Sequence, residues 1–107
     1  MSISDDRADK AVEFIRDNAE RHGQIRTACI LAEYKVKRAR ALAFLQSAGT
    51  VAEREARSWL NADVVAATEE HANMEGDEVA LRDFIKAADM TFEKWRTEQA
   101  NQRRGNV

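Results

Sequence analysis

Two histidines and one cysteine are the side chains here best suited to chemistry near neutral pH, and their spacing limits what they can do. His71 and Glu75 stand four residues apart, so on a helix they share a face and have the geometry to hold a metal. Two ligands alone make a weak site, and no His or Cys pattern completes it. A Glu-x-x-His di-metal signature is missing, because Thr68 occupies the position three before His71, and Glu69 and Glu70 come two and one before it. His22 falls on an apolar line with Ala19 and Arg26 as neighbours, where a polar residue fixes helix register. Cys29 is the single cysteine, which forbids an intramolecular disulfide and excludes cysteine-rich zinc modules. On that line it reads as a buried, inert thiol in a reducing compartment. Gly23, Gly49, Gly76 and Gly105 are isolated, so no phosphate-cradling loop exists, and no GxSxG elbow is present. The expectation is a chain that is not an enzyme and takes no cofactor, metal or small-molecule substrate.

Charge carries more information than any catalytic pattern. Residues 1–34 have a net charge of −2, residues 35–60 of +4, residues 61–93 of −7 and residues 94–107 of +3. The basic stretch holds Lys35, Lys37, Arg38, Arg40, Arg54 and Arg57, and the acidic one includes Glu69, Glu70, Glu75, Asp77 and Glu78. The basic cluster suits phosphates, since Lys and Arg supply most sequence-independent affinity for nucleic acid. The acidic cluster suits a basic protein surface, with nucleic-acid mimicry one form of that. The competing explanation is two solvated faces that pair with each other along the chain or across a dimer. The whole-chain charge of −2 excludes a strongly basic nucleic-acid protein. Tyr34, Trp59 and Trp95 have rings able to stack on bases, but they lie on or beside apolar lines, so core packing is expected for all three.

The elements that must position these residues are helical. The chain has 107 residues, no proline and four glycines, which argues against a β-rich fold of many tight turns. From about Asp5 to Ala48, Ala8, Ala11/Val12, Ile15, Ala19, His22, Ile25, Cys29, Ala32, Val36, Ala39 and Ala43 recur in steps of three and four. Ser4 is a suitable N-cap, and Asp5 and Asp6 favour the helix dipole. Gly23 is a place for a bend or break. Gly49 ends the segment, and Thr50 to Glu53 fits a capping box for a short helix over Val51 to about Leu60. Ala52, Ala56, Trp59 and Leu60 share one side of it.

Asn61 caps a third helix from Ala62 to about Asn101, whose apolar line reads Val64/Val65, Thr68, Ala72, Leu81, Phe84/Ile85, Ala88, Phe92, Trp95 and Gln99. Gly76 is its weak point, and one bent helix is favoured over two. Residues 102–107 read as a frayed basic tail. The fold expected is all-α: one domain over residues 1–107, an elongated, coiled-coil-like antiparallel hairpin of two long helices joined by a short capped one. Its alanine-rich seams make a thin core, so a homodimer or docking on a partner is expected to cover the apolar faces left over. No apolar run approaches the ~20 residues that span a bilayer, and the acidic N-terminus shows no signal-peptide pattern.

Three pieces together resemble a known group. They are Leu31-Ala32-Glu33-Tyr34-Lys35-Val36 continuing to Leu45, then Thr50-Val51-Ala52-Glu53-Arg54-Glu55-Ala56, then Phe92-Glu93-Lys94-Trp95-Arg96-Thr97 with Ala100 and Arg103. The chain resembles small helical early-region proteins of tailed bacteriophages, in which a LEEYRK-type helix leads to a T-x-x-E-R-E-A turn and a final IEVWRS-type helix. It departs from them around Met74-Glu75-Gly76-Asp77 and at Trp59-Leu60-Asn61. The resemblance implies a phage protein at work in the host cytoplasm, in the setting of DNA recombination or replication, and carries no catalytic residue with it. Two functions stay open. One is an accessory protein that meets DNA, or a DNA-bound host or phage protein, through the basic bend. The other is an inhibitor of a host defence or DNA-processing complex that binds through the acidic helix.

Overall fold

A computed structural model of the chain describes residues 2–105. Helix α1 covers Asp5–Gln46, α2 Val51–Leu60 and α3 Ala62–Gly105, and no strand occurs among the described residues. The chain is an all-α helical hairpin. Each boundary has a local cause. The Ser4 hydroxyl accepts from the Arg7 N–H at 3.2 Å and opens α1. The Thr50 hydroxyl accepts from the Glu53 N–H at 3.2 Å and opens α2. The Asn61 side-chain oxygen accepts from the N–H groups of Asp63 and Val64 at 2.9 and 3.3 Å and opens α3. These side chains satisfy donors that the first turn of a helix leaves orphaned. Gly49 sits at φ 110°, a conformation L side chains avoid, and an added Cβ would meet the Glu53 carboxylate at 2.5 Å.

Neither interior glycine breaks its helix. α1 runs through Gly23, and α3 is one helix through Gly76, because a single glycine weakens a helix by only about 1 kcal/mol. α3 also takes in Gln102 to Gly105; the last two residues of the expected tail lie outside the described residues.

The chain divides into two compact units. The first combines residues up to Gly23 with those from Val79 onward. Ile3, Ala8 and Ala11 are buried in it. The Ile3 N–H donates to the Glu98 carboxylate at 2.9 Å, and the Trp95 indole N–H donates to Asp5 at 2.8 Å. The start of α1 therefore lies beside the end of α3, as an antiparallel pair requires.

The second unit is Gln24–Glu78 and contains α2. Ala32, Ala43, Val64 and Ala67 are its buried apolar residues. Here too the helices run antiparallel: Lys35 pairs with Glu70 at 2.8 Å, and Arg26 with Glu78 at 3.8 Å.

The inner line of α1 follows the expected spacing, with Ala8, Ala11, Ala32 and Ala43 buried, except that Ala19 is exposed. The line on α3 differs from expectation. Val64, Ala67 and Glu78 are buried, with His71 and Met74 half-buried between them, whereas Val65, Thr68, Ala72 and Phe84 are exposed. A helix pairs along one unbroken three-four spacing, and on α3 that spacing passes through polar residues.

Candidate partner-binding surface at the bend

The bend is built from the end of α1, the α2 helix and the start of α3, all within Gln24–Glu78. Its cations hold the structure together. Arg54 donates from Nε and Nη2 to the Phe44 carbonyl at 3.2 and 3.0 Å, and its guanidinium lies 4.2 Å from the Phe44 ring centroid. Arg57 donates to the Ala48 carbonyl and lies 3.5 Å from Glu53. Both place positive charge where the C-terminus of α1 leaves carbonyls without helical donors.

Arg40 stacks on Trp59, 3.6 Å from the ring centroid, and approaches Glu55 at 3.8 Å. Its Nε–H is buried with no acceptor among the described residues. Lys35 is taken by Glu70, and Lys37 lies 3.6 Å from Glu33 and 5.2 Å from the Tyr34 ring centroid. Arg38 alone of the six makes no ion pair or hydrogen bond with another described residue. The six basic residues thus come together in one unit, yet most of their charge is already answered inside the chain.

The acidic cluster divides. Glu70 is committed to Lys35, and Glu78 is buried beside Arg26, which removes it from any outer face. Glu69, Glu75 and Asp77 are exposed. Cys29 is half-buried rather than sealed in. Its thiol is pushed above the ordinary range by partial burial first and then by the nearby carboxylates of Glu75 and Glu78. No cluster of three or more metal-ligating side chains occurs among the described residues, and no helix is long and apolar enough to cross a membrane.

The main departure from expectation is α2. Ser58 points inward at 2% exposure, its hydroxyl donating to the Glu55 carbonyl at 2.6 Å. Trp59 is 50% exposed and Leu60 81%, with Val51, Ala52 and Ala56 exposed beside them. Tyr34 is exposed as well, so of the three rings expected in the core only Trp95 is mostly covered. The physical reason is the way α2 is held. Gly49, Asn61 and the Arg54 bridge to Phe44 fix the roll of a ten-residue helix, and they turn its apolar side outward. Between α1 and α2 lies an open groove of 560 Å³ lined by Ala41, Phe44, Leu45 and Ser58, with Lys37, Arg40 and Glu55.

Fold and surface together describe a helical hairpin whose bend carries an exposed apolar patch among engaged cations. Comparison with protein-family models, curated proteins and solved structures finds no match for this chain.

Proposed function

We propose that this chain is a non-enzymatic accessory protein that docks on another protein through the outer side of α2 and the adjoining groove. One observation carries the reading: α2 buries a serine and exposes a tryptophan and a leucine. A short amphipathic helix held this way loses the hydrophobic gain of burial unless a partner covers it. The surface suits a protein that offers an apolar patch flanked by a carboxylate, which would meet Arg38, the cation of the bend without an ion pair or hydrogen bond to another described residue. A phosphate backbone is a poorer match, because Lys35, Arg40, Arg54 and Arg57 would have to give up contacts they already make. The resemblance to small early-region phage proteins supports a partner bound to DNA, such as a recombination or replication protein in the host cytoplasm. The acidic-helix alternative is weakened, since Glu70 and Glu78 are committed inside the chain.

The test is a tagged pull-down from phage-infected cells after nuclease treatment, run with wild type, with Trp59→Ser/Leu60→Asp and with Lys35→Ala/Lys37→Ala. The expected result is one protein retained through nuclease, lost with the α2 pair and kept with the lysine pair, all three chains having the same helical circular dichroism. Partners that vanish with nuclease, or that depend on the lysines and not on α2, would contradict the reading.

A further inference from the structure

Helix α1 is apolar on two sides. Its inner line of Ala32, Val36, Ala39 and Ala43 is buried or half-buried. About 130° around the helix runs a second line, Leu31, Tyr34, Arg38, Leu42 and Leu45, in steps of three, four, four and three. Its four apolar residues are each more than half exposed. Leu45 also lines the groove against α2, so line and groove make one surface. A helix with one apolar line lies at a surface; a helix with two belongs between layers.

Arg38 decides what can cover this line. It stands at the middle, both along the helix and around it, and makes no ion pair or hydrogen bond with another described residue. The cations on either side, Lys35 and Lys37, are paired with Glu70 and Glu33. Whatever covers the line must therefore be apolar over about 21 Å, the rise of fourteen residues, and bring a carboxylate to its centre.

We infer that the docked protein lays an amphipathic α-helix along this outer line of α1, with an Asp or Glu midway that meets Arg38. This rests on the docking reading above and gives the partner's shape and charge at that surface. Rows stepped by three and four are what the ridges of a second helix pack into. A strand finds no edge to pair with, because the α1 backbone is bonded within its own helix. A second copy fits worse. Pairing the line with itself about a two-fold axis sets Arg38 against Arg38, two like charges in contact. A lipid surface fits worse as well. A helix lying on a membrane keeps its cations at the rim of the apolar face, whereas Arg38 stands where the face would sink deepest.

Photo-crosslinking of the full chain in phage-infected cells tests it, with p-benzoylphenylalanine replacing Leu31, Tyr34, Leu42 or Leu60 in turn. Leu31 and Leu42 are about 16 Å apart along α1. Their crosslinks should fall about eleven residues apart in one segment of one protein, with the Tyr34 crosslink and an acidic residue between them. Leu60 should reach the same protein. A spacing of about five residues would mean an extended strand and overturns the inference. Crosslinks to lipid, to a second copy of this chain or to scattered segments overturn it too. Crosslinks from Leu60 with none from the α1 line overturn it and leave the docking reading standing; none from any position overturns both. Arg38→Glu should lower capture of the protein at least fivefold, and Arg16→Glu, exposed on the other unit, should leave it unchanged, with the same circular dichroism in both. Full capture with Arg38→Glu contradicts the inference.

Discussion

The two units of this chain treat their tryptophans in opposite ways. In the unit that joins the start of α1 to the end of α3, Trp95 is half-buried, stacks against Phe92 at 5.9 Å between ring centroids, and donates its indole N–H to Asp5. In Gln24–Glu78, Trp59 stands half in solvent with an arginine on its face. Both rings are flanked by residues at helical spacing, so local pattern does not separate them. What separates them is the support behind each ring. Behind Trp95 lies another helix with a carboxylate in reach of the indole. Behind α2 the inward place is taken by Ser58, which is small and bonds to its own helix. An aromatic ring turned inward serves the fold, and one held outward by a fixed frame is available to something else.

That contrast is breakable at several points. The largest effect on stability is expected where Gln24–Glu78 is closed: Val64 is 1% exposed, and Val64→Ala should cost about 2–3 kcal/mol in urea unfolding. Leu60→Ala, four residues away, should change stability by less than about 0.5 kcal/mol, because that side chain is already in water. If Leu60→Ala cost as much as Val64→Ala, α2 would be turned the other way. Next comes the hinge that sets the roll of α2. Gly49→Ala places a Cβ at φ 110° against the Glu53 carboxylate and should cost about 1–2 kcal/mol, read as a lowered Tm.

Much of the scaffold was legible in the sequence. Ser4, Thr50 and Asn61 mark helix starts through their own hydrogen bonds, and Gly49 marks a turn, since these are local effects. The inner line of α1 is legible because alanines fall on it. The line of α3 was not, since it runs through His71, Met74 and Glu78, and a buried glutamate is not what a hydrophobic pattern looks for. The bend was half legible. Its basic residues stand out by composition, but their use as ties to the Phe44 and Ala48 carbonyls is a matter of three-dimensional reach. The roll of α2 was not legible either, because a ten-residue helix takes its orientation from what holds its ends.

The smallest effect concerns Cys29. Its thiol is raised, so at pH 8 it should react with iodoacetamide more slowly in the folded chain than in urea, where the carboxylates of Glu75 and Glu78 no longer surround it. The sign for stability follows. A raised folded pKa contributes stability that is fully present below the ordinary thiol range and is lost as pH rises through the folded value. Cys29→Ala should therefore flatten the alkaline arm of the stability profile and leave the neutral region in place. Equal alkylation rates folded and unfolded would show that Cys29 lies in open water.

The contrast between the two tryptophans is tested most directly by fluorescence of two single-tryptophan chains, Trp95→Phe and Trp59→Phe, with acrylamide as quencher. The account predicts that the chain retaining Trp59 emits at longer wavelength and is quenched several-fold more steeply than the chain retaining Trp95, with the difference vanishing in urea. Equal quenching of the two folded chains, or the steeper quenching at Trp95, would contradict it.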